Sequence, residues 1–244
     1  MIKAVFFDID NTLYDYDAAN RKALAALSAY AREALGIGEE EFSALHHDML
    51  VSMAEEMGEV AASHNRLIRY QRILEKKGLP LSPHLLRMTQ TYWETFLEDM
   101  VPYAGAVGLM KLLKENGVRV GICTNMTAMM QVRKLEKLGL LPFVDLLVTS
   151  EEAGTEKPRP EIFALSIRKA GCAPGESMMV GDSPKHDIEG ALAAGMKALL
   201  LVPADKAGKK EVPPGVPVIA DLMEAAGFIL APGGDGDEEQ QADH

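Results

Sequence analysis

Asp8 and Asp10 stand two residues apart at the end of Ala4-Val5-Phe6-Phe7, a run that is apolar at every position. Carboxylates this close raise the cost of ionising one another. A metal ion, a proton or a cationic substrate group must relieve them. An unbroken apolar run reads as a central parallel strand, buried on both faces. In open α/β sheets ligands bind at the carboxyl ends of such strands. The same residues also suit an ordinary Asx turn, because Asp10-Asn11-Thr12 has turn chemistry. The rest of the chain has to decide between the two readings.

Four further strand signals follow, at Arg119–Cys123, Leu146–Val148, Ser177–Val180 and Lys197–Val202, where the first covers Ile2–Phe7. Helical patterns fall between them at Ala106–Asn116, Met129–Leu138, Pro160–Ala170 and Ile188–Ala194, with Gly117, Gly139 and Gly195 just past their last periodic residues. This alternation is the α/β pattern. It breaks between Asp15 and about Asp99, where Arg21–Leu35, Glu40–Met57, Ala61–Lys77 and Pro83–Leu97 all read as helices and no strand is evident. Met49, Met53 and Met57 recur every fourth residue there, a stripe expected to pack between helices. Tyr92 and Trp93 are expected to pack in the same unit. Adjacent residues on a helix face different ways, so His46-His47 is not a shared metal site.

The chain has 244 residues, 48% of them hydrophobic, which suits one large or two small globular domains. No apolar run is long enough to span a membrane, and the start lacks the basic and apolar regions of a signal peptide. Two cysteines, Cys123 and Cys172, make no disulfide framework and point to a reducing cytoplasm. With 36 Asp and Glu against 25 Lys and Arg, the net charge of −11 disfavours nucleic-acid polymers as partners. Part of the excess is local, since from Ala231 onward there are five acids and neither Lys nor Arg. That tail, 231–244, is expected to be disordered and solvated.

Asp8-Ile9-Asp10-Asn11-Thr12-Leu13 after an apolar strand resembles motif I of the haloacid dehalogenase superfamily in its phosphatase form. Val120-Gly121-Ile122-Cys123-Thr124-Asn125 resembles motif II, Lys157-Pro158-Arg159-Pro160 motif III, and Met178-Met179-Val180-Gly181-Asp182-Ser183-Pro184-Lys185-His186-Asp187 motif IV. The four occur in order, each just after a strand signal. The resemblance is closest to members with a helical cap, such as 5′-nucleotidases and N-acylneuraminate 9-phosphatases. It implies a Rossmann-like, doubly wound parallel sheet core formed by 1–14 and 99–230, with residues 15–98 as an inserted α-helical cap domain. Ala104, where the family often has proline, is a small departure.

The resemblance also implies a reaction. Asp8 is the nucleophile that takes a phosphoryl group, and Asp10 is the general acid and then the base, its carboxyl raised by crowding among acids. Mg²⁺ is the implied cofactor, held by the side chains of Asp8 and Asp182 and the backbone carbonyl of Asp10. Thr124, Asn125 and Lys157 bind the substrate phosphate. Thr12 fixes the first loop, Ser183 supports the fourth motif, and Asp187 holds the metal's waters or Lys157. Asp182 could instead be a plain helix N-cap. Four acids, Asp8, Asp10, Asp182 and Asp187, are expected to converge with Lys157 as the one nearby cation.

The activity so implied is hydrolysis of a small phosphorylated metabolite by a monomer or homodimer. Asp10 argues against dehalogenation, since a departing halide needs no proton. A sugar phosphomutase of the β-phosphoglucomutase type shares both aspartates, and a non-catalytic binding protein is the third reading. The stretch from Thr124 to Phe163 favours nucleoside monophosphates slightly over sugar acid phosphates. It lies in the core, whereas the cap selects the substrate.

Overall fold

The computed structural model describes residues 1–203 and 212–231. The acidic tail expected over 231–244 lies, after Ala231, outside the described residues. Strand β1 (Ala4–Phe7) is followed by four helices: α1 (Tyr16–Leu35), α2 (Glu39–Met57), α3 (Arg66–Lys76) and α4 (His84–Glu98). Then come α5 (Ala106–Glu115), β2 (Arg119–Thr124), α6 (Ala128–Lys137), β3 (Leu146–Thr149), α7 (Ser150–Ala153) and α8 (Pro160–Ala170). The described chain ends with β4 (Ser177–Gly181), α9 (Gly190–Ala193), β5 (Lys197–Leu201), β6 (Val218–Ile219) and α10 (Ala225–Ile229).

All six strands are parallel, in the order β3-β2-β1-β4-β5-β6. Both faces are buried, which is why the strands are continuously apolar. Val5 and Phe7 of β1 join Val120, Ile122 and Val180 in a core shared with α5 and α10. Ala4 and Phe6 point the other way, toward Ile162 and Phe163 of α8 and Ala191 of α9. The strand order reverses between β1 and β4, the switch point at which a doubly wound sheet opens a crevice.

Several elements differ from the sequence reading. Strand β6 was not anticipated, because two residues give no periodicity to read. The third helix of the insertion is not continuous over Ala61–Lys77. Ala61–His64 is a 3₁₀ turn, and Asn65 starts a new helix by accepting from the backbone N–H of Leu67 and Ile68. The helix expected at Ile188–Ala194 begins earlier, as a wide π-type turn over Pro184–Glu189. Met53 is fully buried and Met49 packs against the core, as expected of the stripe, whereas Met57 at its end is only partly buried; Tyr92 and Trp93 are buried as expected. The chain leaves and re-enters the sheet along adjacent segments, pinned by a bond from the Tyr103 N–H to the Leu13 carbonyl (2.8 Å). Among the described residues no helix is long and apolar enough to cross a membrane.

Candidate active site

The carboxyl ends of β1, β2 and β4 bring the four motifs to one recess of about 190 Å³, lined by Asp8, Asp10, Thr124, Asn125, Lys157, Asp182, Ser183, His186 and Asp187. Asp8 extends the ladder of β1, its N–H donating to the Val180 carbonyl at 3.0 Å. It is buried, and that burial, against the pull of Lys157 and with the push of Asp187, Asp10 and Asp182, raises its carboxyl to about 7.

Asp187 comes to Asp8 through the turn that follows β4. The Ser183 hydroxyl accepts from the His186 N–H at 3.1 Å, and the Ser183 N–H donates to Asp187 Oδ2 at 2.9 Å. Ser183, not Asp182, is therefore the N-cap of this turn. Gly181 is required because a Cβ there would collide with the Asp187 carboxylate. One oxygen from each of Asp8, Asp182 and Asp187 lies within 4.8 Å of the others, a cluster that could hold a cation. Thr12, fully buried, reaches across to Asp182 Oδ1 at 3.4 Å and so ties the first loop to the fourth motif.

Lys157 is buried and its ammonium makes three bonds, to Asp8 Oδ1 (2.7 Å), Asp187 Oδ1 (2.6 Å) and the Cys123 carbonyl (2.9 Å). Three donors meet three acceptors. Burial works to lower its pKa, but Asp187 and Asp8 outweigh that and hold it above the ordinary lysine range. Asn125 fixes this lysine: its side-chain amide accepts from the Lys157 N–H (2.8 Å) and donates to the Lys157 carbonyl (3.3 Å). Thr124 is buried at the end of β2, where its hydroxyl accepts from Gln131 Nε2 at 2.6 Å.

Asp10 departs from the sequence reading. Its carboxylate is not simply crowded among acids. Lys134 donates to both of its oxygens, at 2.7 and 2.8 Å, and the Tyr14 hydroxyl donates to Oδ1 at 2.5 Å. Lys157 is thus not the one nearby cation: Lys134, fully buried, is another. Burial lowers the Lys134 pKa, and Asp10 opposes that shift. The turn itself needs a left-handed residue after Asp10. Asn11, at φ 62°, supplies it and accepts from the Tyr16 N–H at 3.1 Å.

Gln131, Lys134 and Tyr14 were missed by sequence reasoning. A signal for two of them existed. Gln131 and Lys134 lie three residues apart on α6 and share its buried side with Leu135. Polar residues on an inward helical face are unusual without partners.

Comparison with known proteins agrees with this geometry. The family model for haloacid dehalogenase-like hydrolases matches residues 2–195. A ribulose-1,5-bisphosphate 5-phosphatase of Halopiger xanaduensis is 37% identical over 86% of this chain and 89% of its own. A glyceraldehyde 3-phosphate phosphatase of Methanothermobacter thermautotrophicus is 35% identical over 82% of this chain and 86% of its own. Among solved structures, a haloacid dehalogenase-type phosphatase from Thermococcus onnurineus superposes with a TM-score of 0.73 at 24% identity, covering 93% of this chain and 98% of the other.

Proposed function

This chain belongs to the haloacid dehalogenase-like hydrolases and is a phosphatase of that family, and from that premise we propose how its residues divide the work. Asp8 is the nucleophile. Its carboxylate oxygen attacks phosphorus, and the bond to the leaving oxygen breaks. Asp10 gives that oxygen a proton. In the second half, Asp10 takes a proton from water, the water oxygen attacks the phosphoryl group, and the Asp8 carboxylate is released. Thr124 and Lys157 bind the phosphoryl oxygens, and Asn125 positions Lys157. Lys134 and Tyr14 aim Asp10.

The donor set fits Mg²⁺. Asp8, Asp182 and Asp187 offer only carboxylate oxygens, close enough to share one small hard cation. Burial first, and then the neighbouring acids, raise the Asp8 carboxyl, a cost that a cation held there would relieve. Asp8, Asp182 and the Asp10 carbonyl would hold the ion with Asp187 beside them, and it would supply charge neutralisation for the incoming phosphoryl group.

The observation that carries the reading is the Asp8–Lys157–Asp187 chain at the base of the recess, with Asp10 poised beside it. The substrate is a small phosphorylated metabolite, and a sugar phosphate, the class named for both relatives, is favoured over a nucleoside monophosphate. A recess of about 190 Å³ admits a phosphoryl group and little more, below the 300–1,000 Å³ of pockets that enclose a whole ligand. The substrate's body therefore lies under α1–α4, residues 15–98, which act as a cap. The reaction runs in the cytoplasm, in keeping with two free cysteines. Turnover of sugar phosphates should vanish in excess EDTA and return with Mg²⁺. Undiminished turnover in EDTA would refute the metal's role.

A further inference from the structure

Gln131 takes no part in the steps above, yet it is built into the site. It lies near the start of α6, is fully buried, and turns its side-chain amide toward the end of β2. Nε2 donates to the Thr124 hydroxyl oxygen at 2.6 Å and to the Asn125 carbonyl at 3.0 Å. Oε1 is buried without a hydrogen-bond partner. Leaving a buried acceptor unpaired is costly. An apolar side chain of the same size would fill the space without that cost, so the amide's use lies at its nitrogen.

Asn125 settles which end of the amide faces β2. Its carbonyl can only accept, so the group 3.0 Å away is the NH₂. Turning the amide over would set two acceptors against each other. The NH₂ carries two protons, one for each of its neighbours. The Thr124 oxygen is thereby obliged to accept, and its own single proton is turned away from Gln131. Among the described residues the hydroxyl's other contact is the Asn125 carbonyl, at 3.5 Å and already bonded to Gln131. A hydrogen bond of that length is weak. The direction left is the recess that Thr124 lines.

We propose that Gln131 is a positioning residue for phosphoryl transfer: by donating to Thr124 it sets that hydroxyl as a hydrogen-bond donor into the recess, aimed at an oxygen of the phosphoryl group. This rests on the phosphatase reading and on Thr124 as a phosphate ligand. Gln131 makes and breaks no bond of the substrate, and its effect runs through Thr124. Lys134 stands three residues further along α6 and holds Asp10. One helix face thus orients a group at the phosphoryl oxygens and another at the leaving oxygen.

A double-mutant cycle with Thr124 tests it, followed as hydrolysis of p-nitrophenyl phosphate with Mg²⁺ present. Gln131→Met keeps the length of the side chain and removes the donor. It should lower kcat/KM about 3–10-fold, the scale of one neutral hydrogen bond. The fall should persist in a Thr124→Ser background and disappear in Thr124→Val, which has no hydroxyl to orient. A fall of equal size in Thr124→Val overturns the proposal, because a packing role, or one exerted through Asn125 and Lys157, gives that result. No fall in Gln131→Met with Thr124 in place overturns it as well. Orthovanadate affinity, measured by calorimetry over the same cycle, should show the same coupling and needs no turnover, so a slow Thr124→Val protein still reports. Gln131→Glu has the same size and at most one proton for two acceptors. It should lose at least as much as Gln131→Met, and it carries the cycle if the methionine variant does not fold. Failure of the wild-type protein to hydrolyse p-nitrophenyl phosphate overturns the phosphatase reading itself, whereas an uncoupled cycle leaves that reading standing.

Discussion

Lys134 is a lysine with no solvent exposure, and both of its short contacts to oxygen go to Asp10. A buried ion pair stabilises little, because desolvation offsets the attraction. Its value here is positional. Lys134→Met, which keeps the length of the side chain but leaves the half-buried Asp10 without its cation, should lower thermal stability moderately. It should lower kcat about 10²-fold, the scale of a misplaced catalytic group. A large fall in melting temperature with kcat intact would refute that role. At Asp8 the sign of the pH effect follows from its raised carboxyl. The folded protein binds this proton more tightly than the unfolded chain, whose Asp titrates near 3.8. Without metal, the ionised form therefore costs stability progressively as pH rises from about 4 to about 7. In EDTA, Asp8→Asn should match the wild type near pH 4 and be the more stable of the two at pH 8, measured by urea unfolding. The motif acids were legible in the sequence because carboxylates after an apolar strand are conspicuous. Lys134 was not, because a lysine on a helix ordinarily faces water, and only its partner across 124 residues brings it inside.

The insertion's helices were readable from their periodicity, but not the point where one gives way to a turn. That boundary is set by Asn65, whose side chain caps two backbone N–H groups of α3. Asn65→Ala should cost about 1 kcal/mol of stability, and urea unfolding checks it. A value near zero would mean the cap is replaceable by water. The wide turn over Pro184–Glu189 was equally hidden, since its shape is dictated by Ser183 and by Asp187 reaching back to Lys157. A helical pattern gives no warning of such tertiary demands. Strand β6 shows the opposite limit. Its pairing with β5 at Leu200 and Leu201 defines it, and two residues carry no pattern of their own.

At the scale of the whole molecule, a doubly wound sheet places three strand ends at one crevice, and four helices are inserted directly after the first of those strands. The parallel, doubly wound sheet was within reach of the sequence through its apolar strands and the family resemblance, while the order of the strands comes from the structure. The partnering of Arg66 with Tyr92 and Trp93 inside the insertion was not, because it depends on how α3 packs on α4. In the proposed mechanism Asp8 carries the phosphoryl group between the two half-reactions. Rapid acid quench during turnover, followed by mass spectrometry of the peptide around Asp8, tests it directly. One phosphoryl group on Asp8, absent in Asp8→Asn, is the predicted result. A phosphoryl group on another residue, or turnover that persists undiminished in Asp8→Asn, would contradict it.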